Sequence, residues 1–232
     1  MIEAHGFECV YIGSYATAAS RFAKPDTGLL SLKELVEQAK SIAAAVRVPV
    51  IADAEHGFNP RETVEAFEAA GVAAIHIEDH TGAGKHTDAP QQLHLMEETA
   101  ERIRAAVAAR KNPDFMIVAR SDAFWVHRDL EDCIARLALY AEAGADMVFP
   151  THAGPAELAE VRRRIAKPAM IIDMPGRTLA EHAGAAVVLY YAFSITRQFS
   201  ALREALVAGE LASDTQPLED FLGYKDAPGR SQ

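Results

Sequence analysis

The residues that decide the fold are Asp-Ala-Glu-His-Gly-Phe at positions 53–58 and Ile-His-Ile-Glu-Asp-His at positions 75–80. An apolar run rich in β-branched residues, 48–52, precedes the first stretch and has the length of a buried strand. Residues 60–71 carry apolar side chains at helical spacing and end in glycine, so they predict a crossover helix. The second stretch completes another apolar strand, 72–77. Both predicted strands therefore end in acidic residues.

Three of these acids are Asp53, Glu55 and Glu78. Parallel strands joined by a helix end at the same edge of a sheet, so we expect the three carboxylates to surround one small volume. Oxygen ligands of this kind suit a hard divalent cation, and the sequence predicts a site for Mg²⁺ or Mn²⁺. The alternative is that the acids cap helices and form ion pairs at the mouth of a barrel.

Composition limits the class of protein. The chain has 232 residues, of which 50% are hydrophobic, enough for one large core and a single domain over 1–232. The net charge is -10 and no block of lysine or arginine is present, which argues against nucleic acid as a partner. The longest apolar stretch, 185–195, is shorter than the ~20 residues of a membrane span. Two distant cysteines, Cys9 and Cys133, suit a reducing compartment, and we expect a cytoplasmic protein.

The rest of the chain continues the alternation of strands and helices, which is typical of a parallel sheet covered by helices. The predicted strands are 7–12, 48–52, 72–77, 115–119, 146–149, 169–173 and 185–190. A doubly wound sheet also fits, but acids, an arginine and turn residues recur after successive strands, which favours a (β/α)8 barrel of the TIM type. Seven strands are one short of closure, so we expect the first strand to be missing. A C-terminal tail over 208–232 holds one short helix.

Three loops complete the prediction. Gly13, Ser14 and Tyr15 follow the first strand as a tight turn, and Asp26 lies in a Pro-Asp-Thr-Gly loop that is also ordinary turn chemistry. Residues 80–92 are polar and rich in glycine, with the composition of a lid. Arg120 follows the fourth strand, where it is either a functional cation or the partner of a nearby acid.

Several motifs in order resemble the isocitrate lyase and phosphoenolpyruvate mutase superfamily. They are Val-Tyr-Ile at 10–12, Pro-Asp-Thr-Gly-Leu-Leu at 25–30, Pro-Val-Ile-Ala-Asp-Ala-Glu at 49–55, Ala-Ile-His-Ile-Glu-Asp at 74–79, and Ile-Val-Ala-Arg-Ser-Asp-Ala at 117–123. The resemblance spans nearly the whole chain. It implies a barrel whose last helix is exchanged between subunits, a homodimer or homotetramer, and magnesium-dependent cleavage or formation of C–C or P–C bonds beside a carboxylate.

The resemblance also implies roles for single residues. Asp53, Glu55 and Glu78 match the acids that hold the metal, and Arg120 and Asp26 match residues that face the substrate. The turn of Gly13, Ser14 and Tyr15 matches one whose amides bind a 2-oxo acid. Beside these roles we consider Lys85 as a lid cation for an anionic substrate, and His56 and His86 as either catalytic groups or ordinary loop residues.

Departures from the pattern narrow the function. Lyases of the superfamily carry a Lys-Arg-Cys-Gly-His lid whose cysteine transfers a proton, but residues 82–86 here are Gly-Ala-Gly-Lys-His. The cysteine-free lid is more similar to the oxaloacetate decarboxylase branch. We therefore expect a Mg²⁺-dependent lyase that acts through an enolate on a small 2-oxo or 2-hydroxy carboxylate or dicarboxylate.

Two alternatives stay open. One is a phosphonopyruvate mutase or hydrolase, which breaks a P–C bond. The other is a catalytically impaired, carboxylate-binding paralogue. Its basis is Glu55 in place of the usual aspartate, a short loop after Phe58, and the missing first strand.

Overall fold

A computed structural model of the chain describes residues 1–82, 84–173, 184–210 and 214–222. The chain divides into two compact units, Met1–Ala192 and Phe193–Gln232. All strands of the described residues, and every candidate site residue named above, belong to the first unit. None of the helices in the described ranges is long and apolar enough to cross a bilayer.

Seven parallel strands of the described residues succeed one another in space in the same order as in the chain. They are β1 (Val10–Ile12), β2 (Val50–Asp53), β3 (Ala74–Glu78), β4 (Met116–Ser121), β5 (Met147–Pro150), β6 (Met170–Ile172) and β7 (Val187–Leu189). The first five form one sheet and the last two form a second. A parallel bridge between Val148 and Ala169 connects the two sheets. The result is the wall of a partial barrel, as the alternation of elements predicted.

Helices connect the strands and cover the outside of the sheet. They are α1 (Ser14–Phe22), α2 (Leu32–Ala43), α3 (Pro60–Ala69), α4 (Met96–Ala109), α5 (Ala123–His127), α6 (Leu130–Glu142) and α7 (Pro155–Arg164). The second unit contains α8 (Phe193–Ala208) and α9 (Gln216–Phe221). The predicted tail begins where α8 ends, and its residues 211–213 and 223–232 lie outside the described ranges.

Local signals set the helix ends. The Ser31 hydroxyl accepts the Glu34 N–H while the Glu34 carboxylate accepts the Ser31 N–H, which is the predicted capping box of α2. The side chain of Asn59 accepts the N–H groups of Arg61 and Glu62, and Pro60 is the first residue of α3. Helix α3 therefore begins immediately after the acid-bearing loop that follows β2.

The strands are buried on both faces, which is the signature of a barrel wall. Ile51, Ala74 and Val118 face an inner cluster that also contains Met147, Phe149, Met170, Ile172 and Leu189. The alternate residues Ala52, Ile75 and Ile117 pack outward against the helices in a larger cluster. Because successive side chains of a strand point to opposite faces, the near-continuous apolar runs of the sequence serve two cores at once.

One sequence prediction about local structure was wrong. Gly13, Ser14 and Tyr15 do not form a tight turn, because Gly13 is the N-cap of α1 and the other two residues begin the helix. The alanines and threonine that follow Tyr15 continue the helix through Phe22. The short helix α5 after β4 was also not predicted.

A buried acid, Asp79, joins the ends of the strands that carry the site. Its carboxylate accepts the Asp122 N–H at 2.8 Å, the Ser121 hydroxyl at 2.8 Å and the Tyr140 hydroxyl at 3.1 Å. Nη1 of Arg136 on α6 lies 3.3 Å from the same carboxylate. Burial, followed by the nearby Asp122, raises the pKa of Asp79 to about 6. Asp79 thus holds the ends of β3 and β4 together from behind the site.

We expect Asp79→Ala to lower the free energy of unfolding by about 3 kcal/mol or more, because it leaves the buried Arg136 and Tyr140 groups without this partner. Urea denaturation measures the change. Asp88→Ala, in an exposed part of the lid, is the matched control and should change stability by less than about 0.5 kcal/mol. Equal effects of the two substitutions would contradict the role given to Asp79.

Candidate functional site

The three predicted metal-binding acids meet at the carboxyl ends of two neighbouring strands. Asp53 is the last residue of β2, Glu55 lies two residues beyond it, and Glu78 is the last residue of β3. One carboxylate oxygen from each lies within 4.8 Å of the others, and all three side chains are buried. The structure therefore brings together the set that the sequence predicted.

Backbone hydrogen bonds fix this acid cluster. The Asp53 carboxylate accepts the Glu55 N–H at 2.8 Å, and the Glu55 carbonyl accepts the Glu78 N–H at 2.9 Å. Ser14 donates to the same aspartate from its hydroxyl at 2.9 Å and from its amide at 3.2 Å. Glu55 has φ 50°, a left-handed conformation that is strained for a residue with a Cβ. The two bonds of its own backbone hold that conformation.

A lysine from the lid occupies the centre of the acid cluster. The Lys85 ammonium donates to Glu55 at 2.7 Å and to Glu78 at 2.8 Å, and it lies 4.0 Å from Asp26. The side chain is only 1% exposed. Burial lowers the pKa of Lys85, but Glu78 and Glu55 outweigh that effect and hold it well above its usual range. The ammonium therefore stays charged and neutralises the cluster.

The acids themselves respond to burial in different ways. Burial raises the pKa of Glu55 to about 8, although Lys85 opposes the change. Burial also acts to raise the pKa of Asp53, but His76, Lys85 and Arg120 reverse the direction and hold it well below its usual range. Asp53 therefore remains ionised at neutral pH, and the cluster keeps its attraction for a cation.

The cluster fits a divalent metal ion. It offers only carboxylate oxygens, the donors that Mg²⁺ and Mn²⁺ prefer. The buried Oε1 atom of Glu55 has no hydrogen-bond partner among the described residues, so it is available as a ligand. A cation, the Lys85 ammonium, already rests on two of the three acids. The ammonium and a metal ion would compete for the negative charge of these acids.

We expect Lys85→Met to bind Mg²⁺ about 10-fold more tightly than the unchanged protein, because the competing ammonium is absent. Without metal the variant should melt at a lower temperature, since the buried acids lose their counter-ion. Isothermal titration calorimetry and thermal melts with and without MgCl₂ measure both effects. Lys111→Met, at an exposed lysine outside the cluster, is the control. Unchanged or weaker Mg²⁺ binding by Lys85→Met would show that the two cations do not compete.

Arg120 lies beside the acids and is held rigidly. Its guanidinium donates to both oxygens of Asp122, at 2.7 and 2.9 Å, and Nη1 lies 3.0 Å from Glu78. Burial acts to raise the pKa of Asp122, but Arg120 lowers it to about 2. The guanidinium also lies over the Phe149 ring at 5.5 Å. Both ion pairs considered from the sequence are present, and they fix the guanidinium at the edge of a cavity.

That cavity has a volume of about 170 Å³ and opens at the carboxyl end of the strands. Most of the predicted site residues line it: Gly13, Ser14, Tyr15, Asp26, Asp53, Lys85, His86 and Arg120. Asp26 is buried and lies 3.4 Å from Nε2 of His86. The cavity is therefore lined by acids and cations from four separate segments of the chain, around Asp26, Asp53, Lys85 and Arg120.

The structure does not bring His56 to this cavity. Its ring packs at 4.9 Å from the Phe58 ring, and burial lowers its pKa. His76 points into the barrel, where Nε2 lies 2.9 Å from the Tyr11 hydroxyl. Neither histidine lines the cavity within the part of the chain that the structure describes.

Several cavity residues were not predicted. They are Tyr11, Trp125, Phe149, Thr151, His152, Ile172, Leu189 and Tyr191. Thr151 and His152 directly follow β5, and Tyr191 follows β7, so the rule that barrel strands end at the site could have identified them. Trp125 lies in the unpredicted helix α5, and the sequence favoured it as a core residue.

Comparison with known proteins agrees with this geometry. Residues 1–208 match the family model described as phosphoenolpyruvate phosphomutase. The chain belongs to this family. A solved structure of phosphoenolpyruvate phosphomutase from Streptomyces platensis subsp. rosaceus superposes with a TM-score of 0.85 and 28% identity, over 97% of this chain and 86% of that one. The phosphonopyruvate hydrolase complex with oxalate and Mg²⁺ gives a TM-score of 0.83, 28% identity and the same two coverages.

Curated relatives of this family member include two kinds of lyase. A 2,3-dimethylmalate lyase of Eubacterium barkeri is 40% identical over 75% of this chain and 59% of its own length. An oxaloacetate decarboxylase of Pseudomonas aeruginosa is 35% identical over 90% of this chain and 76% of its own length. The chain spans 59% of that dimethylmalate lyase and 47% of the isocitrate lyase of Haloferax volcanii. Both relatives are therefore considerably longer than the segment they share with this chain.

Proposed function

We propose that the protein is a Mg²⁺- or Mn²⁺-dependent lyase acting on a small 2-oxo acid, most like an oxaloacetate decarboxylase. The observation that carries this proposal is the buried cluster of Asp53, Glu55 and Glu78 beside the Arg120 guanidinium, which lies 3.0 Å from Glu78. Asp53 and Arg120 both line the cavity at the carboxyl ends of the strands. A metal ion bound there would polarise the 2-oxo group of a substrate. The Arg120 guanidinium would stabilise the developing negative charge.

The protein's own residues supply the remaining parts of the chemistry. Arg120 is already oriented by Asp122, so little reorganisation is needed when charge develops on the substrate. Ser14 at the start of α1 fixes Asp53 and places the helix N-terminus, with its partial positive charge, on the cavity wall. The lid over residues 80–92 carries Lys85 and His86 into the site and limits the access of water.

The absence of a thiol from the cavity favours decarboxylation over cleavage of a 2-hydroxy acid. The sequence contains two cysteines, and neither Cys9 nor Cys133 lines the cavity. Cys133 is buried on α6, where burial raises its pKa to about 12. A retro-aldol lyase needs a group that protonates the departing carbanion and deprotonates the hydroxyl, whereas loss of CO₂ from a 2-oxo acid needs chiefly stabilisation of negative charge.

Phosphonopyruvate chemistry is the second candidate function. It is favoured by the close superposition on phosphoenolpyruvate phosphomutase and phosphonopyruvate hydrolase. Asp26 and His86, which lie 3.4 Å apart on the cavity wall, are the groups that would face a phosphoryl group.

The deciding experiment incubates the purified chain and Mg²⁺ with oxaloacetate and phosphonopyruvate in parallel and measures pyruvate, phosphoenolpyruvate and free phosphate. Pyruvate from oxaloacetate alone supports the decarboxylase. Phosphate and pyruvate from phosphonopyruvate support a hydrolase, and phosphoenolpyruvate from phosphonopyruvate supports a mutase. A folded sample that is silent with both substrates supports the non-catalytic, carboxylate-binding alternative.

We expect Arg120→Gln to lower kcat/KM for the active substrate about 10²-fold, the scale of losing one oriented donor to a developing charge. The removed guanidinium also pairs with Glu78 and Asp122, so circular dichroism must first show that the variant is folded. The control is Arg104→Gln, at an exposed arginine of α4. Full activity in Arg120→Gln would remove this residue from the proposed mechanism.

We also propose that the protein forms a homodimer or homotetramer in the cytoplasm. Helix α8 contains no buried residue, and Phe199, Leu202 and Leu206 recur on it at helical spacing with more than half of each side chain exposed. An apolar stripe of this kind is typical of a surface that another subunit covers.

Phe199→Glu combined with Leu202→Glu should convert the oligomer to a monomer, because the charges oppose burial of the stripe. Analytical ultracentrifugation measures the mass. Arg203→Ala on the same helix is the matched control and should leave the mass unchanged. A monomeric unchanged protein, or an unaltered oligomer in the double variant, would contradict the proposal.

A further inference from the structure

Five aromatic rings form a continuous chain along the wall of the cavity. In order they are Tyr191, Tyr15, His86, Trp125 and His152, and we call them the aromatic rim. The successive ring centroids are 5.8, 6.3, 4.9 and 5.1 Å apart, distances at which aromatic rings attract one another. The family resemblance gave a role to only one of these residues, Tyr15.

The aromatic rim lines the same cavity as the charged groups. Asp53, Lys85 and Arg120 contribute the charge, and Ser14 and Thr151 add hydroxyl groups. The cavity therefore combines a polar region, which suits a carboxylate and a 2-oxo group, with a flat apolar region. A ligand that complements both regions has a charged head and an apolar tail.

The lysine and arginine side chains of the cavity are confined to its polar region. Among its described lining residues they are Lys85 and Arg120 alone. Lys85 is paired with Glu55 and Glu78, and Arg120 is paired with Glu78 and Asp122. Neither belongs to the aromatic rim, so a substituent beside the rim meets no lysine or arginine, and an apolar group is placed there without burying an unpaired charge.

The backbone of His152, a residue of the aromatic rim, is strained. It has φ 63°, a left-handed conformation, and its ring is stacked on Trp125 with an interplanar angle of 15°. Its buried Nδ1 atom has no hydrogen-bond partner among the described residues. Burial lowers the pKa of His152 to about 4, so the ring is neutral at pH 7 and presents a flat face. The strained backbone places this face in line with Trp125.

We infer that the aromatic rim binds an apolar, preferably planar, substituent on the substrate, and that Trp125 is its principal specificity residue. The substrate class is then a 2-oxo dicarboxylate whose carbon beyond the 2-oxo group carries both an apolar group and the carboxylate that leaves as CO₂, in preference to unsubstituted oxaloacetate. The inference rests on the proposed function, because it takes the carboxylate head to lie at the charged part of the cavity.

Inert ligands with one head and different tails test the inference. Oxamate, N-propyloxamate and N-benzyloxamate share the carboxylate and carbonyl and differ only in the apolar group. Trp125 is the single tryptophan of the chain, so its fluorescence reports contact with the tail directly. In the presence of Mg²⁺ we expect N-benzyloxamate to bind about 10-fold more tightly than oxamate and to change the tryptophan emission, because a hydrophobic pocket discriminates by roughly this factor or more.

Variants assign the effect to Trp125. By calorimetry, Trp125→Ala should remove the preference for the benzyl tail while changing oxamate affinity less than about twofold, and Trp125→Phe should keep most of the preference. His127→Ala is the matched control on the same helix, because His127 does not line the cavity. Melting curves confirm that each variant is folded.

The outcomes separate the two proposals. If oxamate binds and the benzyl tail adds no affinity, the aromatic rim has no role in specificity and the inference is wrong while the proposed function stands. An equal loss of affinity for every ligand in Trp125→Ala would assign the tryptophan a merely structural role and would also overturn it. If no oxamate binds in the presence of Mg²⁺, the proposed function fails and the inference falls with it.

Discussion

The structure depends on the pairing of three buried acidic side chains with two cations. Asp53, Glu55 and Glu78 are each less than 5% exposed, and charges so far from water are stable only when they are paired. The Lys85 ammonium supplies the positive charge at distances of 2.7 and 2.8 Å from two of the acids. Arg120 supplies a second positive charge, with Nη1 lying 3.0 Å from Glu78. The lid, the strand ends and the arginine are therefore held together by one electrostatic requirement.

The geometry of the barrel wall allows these buried charges to be paired. Strands β2, β3 and β4 are parallel and neighbouring, and Glu78 is paired in register with Arg120. Successive strands of a barrel end on the same side, so short loops are enough to place acids and a cation together. Asp79 fastens β3 to β4 from behind, which keeps the charged groups at fixed separations. The hydrogen-bonded sheet thus keeps the charged side chains of the site in fixed positions.

Most of the fold and the cluster of Asp53, Glu55 and Glu78 could be predicted from the sequence because their signals are local. The apolar runs before Asp53 and Glu78 predict strands, and the glycine and proline stops predict their helices. The sequence could not place Lys85 in the acid cluster, because the lid has no periodicity and the contacts join residues that are 7 and 30 positions apart. The aromatic rim was missed for the same reason. In the sequence, Trp125 and His152 look like ordinary core or loop residues, and only the folded sheet brings their rings together.

Lys85 and His86 are consecutive residues of the lid, yet one neutralises the acid cluster and the other belongs to the aromatic rim. A movement of the lid backbone that took the ammonium from the acids would also displace the neighbouring imidazole. Binding of a metal ion at the acids and binding of an organic ligand at the apolar wall would then be thermodynamically linked. The linkage would be reciprocal, because the factor by which the ion changed the affinity for the organic ligand would equal the factor by which that ligand changed the affinity for the ion.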